Sequence, residues 1–313
     1  VRDPSVVVVG SCNEDVIVPV QRLPAPGQTV LGGDRMSFPG GKGANQAVAA
    51  ARLECDVSLV ARVGDDEAGR SLLATLASEG VGIEHVGTTA GAPSGAAFIA
   101  VDEEGENLIV VSPGANARLT PADVTAAASV LAAADVVLCQ LEVPLECVLR
   151  AAELARASGR ARVVLNPAPA APLDAGLLEA VDVLVPNRTE LGLLTGRPAP
   201  GSLADAEGAA RLLAGVDVVV TLGADGALLV PRDGPAEHVA AAPVEAHDAI
   251  GAGDAFCAGL ADALARGEAL RSAVDWAVAV AGLATTRRGA QPAMPERDDV
   301  ARYAGWAPGA RRP

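Results

Sequence analysis

Short β-branched runs alternate along this chain with alanine- and leucine-rich segments of helical period, and that alternation most narrows the folds open to it. The runs lie at residues 5–10, 57–60, 136–138, 163–165, 183–185 and 218–222. They carry no polar face, as expected of strands covered by helices on both sides. Between and after them the pattern predicts helices at 44–53, 68–79, 121–133, 145–157, 204–213, 252–266 and 270–286. The expected fold is α/β: a doubly wound, mostly parallel sheet flanked by helices and joined by right-handed crossovers. Only 2% of the 313 residues are aromatic while half are hydrophobic, so the core must be built from Ala, Val and Leu.

Two stretches break the alternation. Residues 16–38, punctuated by Pro and Gly, and residues 95–111, with a Glu-Glu-Gly-Glu turn between apolar runs, read as hairpin-like strands without helices. They predict a small second sheet over about 13–38 and 95–111, near the carboxyl ends of the main strands, where it can act as a lid. The whole chain, 1–313, reads as one domain with this lid, and the Pro/Gly/Arg tail after Trp306 as frayed.

A formal charge of −15 excludes a sequence-independent grip on nucleic acid or anionic lipid, both of which need a positive field. An anionic ligand must then be held locally, by backbone N–H groups at helix starts and a few placed cations. Five cysteines (Cys12, Cys55, Cys139, Cys147, Cys257) are widely spaced with no C-x-x-C pair, which suggests neither a disulfide framework nor a zinc site. No leader-like or membrane-length apolar run is present, so the expected compartment is the cytoplasm.

The most informative segment is Asp248-Ala249-Ile250-Gly251-Ala252-Gly253-Asp254-Ala255-Phe256. A glycine pair opens a long helix and an Asp sits in its first turn. Amides there can surround a transferring phosphoryl group, and Asp254 can take a hydroxyl proton. The plain alternative is a helix-start aspartate. Phe256 stands where the third glycine of a dinucleotide fingerprint belongs, which argues against an NAD-linked dehydrogenase.

Pro39-Gly40-Gly41-Lys42-Gly43-Ala44-Asn45-Gln46-Ala47 runs a glycine cluster into a helix. Gly43 after the Lys rules out a Walker A loop, and the turn either presents Lys42 and Asn45 to a polyhydroxylated ligand or simply caps a helix. Asn13, Asp15 and Glu142 follow strands, where side chains point into the ligand crevice, and sugar hydroxyls seek such acceptors. Asn187 and Glu190 form either a site that orients water around Mg²⁺ or an N-cap with its reciprocal partner. The turn Thr221-Leu222-Gly223-Ala224-Asp225-Gly226 either lines a phosphate groove or closes a hairpin.

Taken in order, these segments resemble the PfkB-type carbohydrate kinase family from Gly10-Ser11 through Gly289-Ala290-Gln291-Pro292. The likeness is most specific at GGKGANQAVAA (residues 40–50), Gln140-Leu141-Glu142 and Asn166-Pro167-Ala168-Pro169-Ala170. The resemblance implies a β-lid homodimer that transfers the γ-phosphoryl group of ATP to O5 of D-ribose. By position it makes Asp254 the catalytic base, with Gly251, Ala252 and Gly253 as the anion hole. It puts Asn13, Asp15, Gly41, Lys42, Asn45 and Glu142 on the sugar. Asn187, Glu190, Thr221, Gly223, Gly226 and Gly253 fall on the nucleotide and Mg²⁺ side. Asp248, Ile250, Ala284, Arg287 and Gly289 match the shell of an activating K⁺. Ala249 and Ala293 depart from the family pattern by lacking hydroxyls near that cation, and Glu14 adds a carboxylate where a smaller residue is usual. A kinase for deoxyribose, fructose or adenosine is the competing enzyme reading. A sugar sensor without catalysis is the competing binding reading, and it would need no proton acceptor at residue 254.

Overall fold

The computed structural model describes residues 3–213 and 215–305, so the tail after Trp306 lies outside the described residues. In chain order, β1 (Ser5–Val9) and β2 (Asn13–Pro19) are followed by β3 (Met36–Gly40), α1 (Lys42–Arg52), β4 (Asp56–Gly64), α2 (Glu67–Ser78) and β5 (Gly82–Thr89). Next come β6 (Gly95–Val101), β7 (Asn107–Ser112), a 3-10 turn (Gly114–Arg118), α3 (Pro121–Ala126), α4 (Ala128–Ala133) and β8 (Val136–Cys139). Then follow α5 (Leu145–Ala157), β9 (Arg162–Leu165), α6 (Ala175–Ala180), β10 (Val183–Leu184), α7 (Arg188–Thr195) and α8 (Leu203–Ala210). The series ends with β11 (Asp217–Thr221), β12 (Ala227–Val230), β13 (Glu237–Val239), α9 (Ala252–Ala265), α10 (Leu270–Ala284) and α11 (Arg297–Tyr303).

The large sheet has nine strands in the order β13-β12-β11-β10-β9-β8-β1-β4-β5. Pairing is parallel from β5 across to β11 and antiparallel for β11–β12 and β12–β13. The valine run of β1 shows why such strands lack a polar face. Val6 and Val8 pack into a core layer with α1, α2, α9 and α10, while Val7 and Val9 pack into another with α3 to α8. All four are essentially inaccessible, and each buried valine side chain contributes roughly 1.5–3 kcal/mol.

The small sheet has the order β3-β2-β6-β7. The pairs β2–β3 and β6–β7 are antiparallel, but the central β2–β6 pair is parallel. Only β6–β7 is a tight hairpin, closed by the Asp102 carboxylate accepting from Glu104 N and Glu106 N, with Gly105 at φ +85°. The link from β2 to β3 is a long exposed excursion pinned by a Val20–Gly32 bridge.

The expected helix at 121–133 is divided at Ala127, whose N–H turns to the i−3 carbonyl of Val124 (3.1 Å) before α4 resumes. Strands β5, β12 and β13 were not expected. The first and last are edge strands of mixed polarity, and β12 is only four residues long. Among the described residues no helix is long and apolar enough to cross a membrane.

Candidate active site

Strand β1 is the point at which the sheet order turns: β4 lies on one side and β8 on the other. Loops leaving the carboxyl ends of neighbouring parallel strands diverge there and open a crevice. Into it come residues 11–15 after β1, the start of α1, Gln140 to Glu142 after β8, Asn166 after β9, Asn187 after β10 and the start of α9.

The glycines before α1 allow its first turn to lie directly on the backbone after β1. A Cβ on Gly43 would meet Ser11 N at 2.5 Å, and one on Gly41, at φ +87°, would meet Asn13 N at 2.7 Å. Ala44 N donates to Ser11 O (2.8 Å), closing the contact. Lys42 and Asn45 are thereby fixed on the helix turn that faces α9.

Asp254 sits in the first turn of α9 with only 6% of its surface exposed. Its two carboxylate oxygens accept separately from Asn45 Nδ2 (2.9 Å) and Gln46 Nε2 (3.0 Å). Gln46 in turn accepts from Gln140 Nε2 and donates to Asn166 Oδ1 (3.3 Å). Gln46, Gln140 and Asn166 lie in segments that carry the family resemblance, but the sequence assigns them no place in the site. A polar residue closing an apolar strand, as Gln140 and Asn166 do, was the signal that could have found them.

The helix α9 begins at Gly251, φ +75°, where a Cβ would lie 2.9 Å from Ala290 Cα. Of the three residues read as an anion hole, Ala252 already directs its N–H to Ala249 O (3.2 Å). Gly253 differs, since a Cβ there would meet nothing within 4 Å. The bare backbone of Gly253 therefore faces open space.

Two cavities open at the carboxyl ends of the strands, one reaching Gly253 beside Asp254 and the other reaching Lys42 at the start of α1. One, of about 540 Å³, is lined by Thr221, Gly223, Gly226, Gly253, Phe256 and mostly small apolar neighbours. The other, of about 410 Å³, is lined by Asn13, Lys42, Asn116, Glu142 and the lid residue Val111, among others. The Thr221 to Gly226 segment closes the antiparallel β11–β12 hairpin, the plain reading of that turn, and also lines the larger cavity. Gly226, at φ +88°, has room for no side chain because Val239 O would lie 2.0 Å from its Cβ.

Negative groups converge on the smaller cavity. Glu142 accepts from Ser11 Oγ and from Lys42 N (3.0 Å). Burial, reinforced by Glu142 and Asp254, pushes the Asp15 carboxyl up to about 7. Its side chain is seated against Gly40, where a Cβ would approach Asp15 Oδ2 to 2.1 Å. Burial disfavours the Lys42 charge, but Asp254, Glu142 and Glu190 outweigh it and raise the ammonium pKa. Lys42 is thus a cation held among carboxylates. Burial also raises the Glu190 carboxyl, partly offset by the bond from Asn187 N and by Lys42.

Asn187 and Glu190 form a complete capping box at α7: Glu190 N donates to Asn187 Oδ1 and Asn187 N to Glu190 Oε2, both at 2.8 Å. The plain reading of that pair is realised, and one oxygen of each side chain is spent on it. Asp248 likewise accepts from Ile250 N (2.9 Å) and Gly289 N (2.8 Å), lashing the loop before α9 to the loop after α10. The carbonyl of Ala284 accepts a long bond from Arg287 N (3.4 Å), and Ala293 is buried. Among the described residues no group of three or more His, Cys, Asp or Glu gathers as a metal site.

Residues 3–297 match the family model described as pfkB family carbohydrate kinase. The chain belongs to that family. It is an ATP-dependent sugar kinase. The ribokinase of Haemophilus influenzae is 37% identical over 302 residues, covering 95% of this chain and 97% of the relative. The deoxyribokinase of Salmonella typhi is 36% identical over 302 residues, covering 95% and 98%. Among solved structures, Arabidopsis thaliana ribokinase complexed with ribose and ATP superposes with a TM-score of 0.88 at 31% identity, over 98% of this chain and 100% of that one.

Proposed function

We propose that this kinase phosphorylates O5 of D-ribose, with the acceptor sugar in the 410 Å³ cavity and ATP in the 540 Å³ cavity. The observation that carries the reading is Asp254, each carboxylate oxygen oriented by one amide donor, whose neighbour Gly253 lines the larger cavity and whose charge acts on Lys42 in the wall of the smaller. Asp254 accepts the proton of the attacking hydroxyl, while Gly253 and the start of α9 offer amide donors to the transferring phosphoryl group. Asn13, Asp15, Gly41, Lys42, Asn45 and Glu142 hold the sugar. The chain is read as one catalytic domain working in the cytoplasm, and its five buried, unpaired thiols suit a reducing compartment.

Glu190 fits Mg²⁺ through the carboxylate oxygen its capping box leaves over, and Asn187 through the second lone pair of its Oδ1, both by way of water, as suits an ion that keeps most of its hydration. Mg²⁺ supplies charge neutralisation on the ATP phosphates. Asp248 fits K⁺ as the carboxylate that joins the loop carrying Ile250 to the loop carrying Gly289, with the carbonyls of Ile250, Ala284, Arg287 and Gly289 as further donors. Bound there, a monovalent cation orders the loop that delivers Gly251 to Gly253. Ala249 and Ala293 add no hydroxyl to that shell, so the half-saturating K⁺ concentration is high for the family.

A coupled ADP-release assay tests both points on ribose, deoxyribose, fructose and adenosine, with K⁺ titrated at constant ionic strength against a large organic cation. Ribose is expected to give the highest kcat/KM, with K⁺ acting mainly on kcat. Deoxyribose, the substrate named for the Salmonella typhi relative, is the competitor to beat. A higher kcat/KM on any other acceptor contradicts the substrate assignment, and a flat K⁺ response removes the cation site.

We further read the small sheet as a lid that closes over the sugar and pairs with its copy in a homodimer. Val111 lines the sugar cavity, and edge strand β7 exposes Leu108, Ile109, Val110 and Val111 in succession, with Phe98 51% exposed beside it. A contiguous apolar edge of this kind is covered in a stable protein. Light scattering at micromolar concentration is expected to give twice the chain mass of 31.2 kDa, and a strict monomer contradicts the dimer.

A further inference from the structure

We infer that Asn116 is a positioning residue that sets the amide of Asn13 with its Nδ2 donors, and not its oxygen, turned to the sugar. This rests on reading the 410 Å³ cavity as the sugar site.

Asn116 lies in the 3-10 turn after β7 and is 1% exposed. Its Oδ1 accepts from Cys12 N (2.9 Å), and its Nδ2 donates to Cys12 O (3.1 Å). A backbone N–H can only donate and a backbone C=O can only accept, so this pair decides which end of the Asn116 amide is which. The second Nδ2 proton then goes to Asn13 Oδ1, at 2.7 Å. The oxygen of Asn13 is thereby occupied, and the group left over is its NH₂, which among the described residues has no protein acceptor. Both asparagines line the cavity with Lys42 and Glu142.

The pair is built into the join between the two sheets. Gly95, the first residue of β6, is the register partner of Asn13 on β2. A Cβ at Gly95 would lie 2.1 Å from Asn116 Nδ2 and 2.2 Å from Asn13 Oδ1, so glycine leaves the space in which the two amides meet.

The consequence is chemical. Ionised Asp15, Glu142 and Asp254 can only accept hydrogen bonds, so against them alone a sugar hydroxyl could only donate. A hydroxyl that also accepts from Asn13 Nδ2 uses its proton and a lone pair at once. Asn13 therefore reads a hydroxyl oxygen as an acceptor, and a sugar lacking that oxygen forfeits both bonds.

Titration calorimetry without nucleotide tests this with D-ribose on the wild type, Asn13→Ala, Asn116→Ser and the double variant. Each single change is expected to weaken binding by about three- to tenfold, the worth of one hydrogen bond, and the double variant to bind no more weakly than Asn13→Ala. In steady state the Asn116 change should appear in the sugar KM and leave kcat nearly unchanged. If Asn116→Ser does not fold, Asn13→Asp serves. It keeps an acceptor for Asn116 Nδ2 but replaces the Asn13 donor with a carboxylate oxygen, so ribose affinity is expected to fall similarly, and wild-type affinity there overturns the donor assignment. Wild-type affinity in an Asn116 variant, or losses that multiply in the double variant, overturns the positioning role alone. A wild type that binds no ribose overturns the site reading as well.

Discussion

Asp254→Asn is expected to lower kcat by about 10²- to 10⁴-fold while ribose binding changes little, because general-base help is worth that much and the amide keeps the shape of the carboxylate. The surroundings of Asp254 explain why binding should survive. Asn45 and Gln46 approach the two oxygens separately, so the side chain is held from the protein side whether or not sugar is present. An amide at residue 254 can still accept from one of them. What it cannot do is take up a proton from the attacking hydroxyl. A coupled ADP assay alongside calorimetric ribose binding separates the two effects, and near-normal turnover removes Asp254 from the role of base.

Asp15→Asn is expected to stabilise the sugar-free protein above neutral pH and to weaken sugar binding. Burial, with Glu142 and Asp254 adding to it, raises the folded carboxyl to about 7 from the ordinary 3.8 of an aspartate side chain. The folded state thus binds a proton that the unfolded chain has already released between those values. Stability from this group is fully present below the unfolded pKa and is lost as pH rises towards 7. The wild type therefore carries a cost on the order of 2–4 kcal/mol at pH 8 that the variant lacks. Thermal unfolding should show the variant ahead at pH 8 and level with wild type near pH 4. Ribose KM should rise about tenfold or more in the variant, since hydrogen bonds to a charged acceptor are worth about 1.5–3 kcal/mol. In the wild type the same KM should climb as pH falls through 7. Equal melting temperatures at pH 8 contradict the assignment of a strained carboxylate.

How far such a site can be read from the chain alone depends on whether the determinant is local. Strand β1 and helix α5 are written in their own residues, and α5 spans the expected 145–157. Asp254 announced itself through the glycines that open α9. The pairing that makes Asp254 a site does not: Gln46 and Asn45 lie 208 and 209 residues away. Sequence spacing carries no signal at that range. The parallel β2–β6 pair joins strands separated by most of the small sheet's connections, and nothing in either strand specifies its partner's direction. At Asn187 and Glu190 the difficulty is different, because one pattern serves two purposes. The capping box is satisfied in full, and any role towards Mg²⁺ must use what that box leaves over.

Whether Asp254 directs phosphoryl transfer to O5 of ribose is decided by ³¹P–¹H correlation spectra of the product formed from ATP and D-ribose. A single new phosphomonoester coupled to the C5 protons, in one-to-one ratio with ADP and absent from the Asp254→Asn reaction on the same timescale, is the predicted result. A phosphoester on any other carbon, or ADP release without a sugar phosphate, would contradict it.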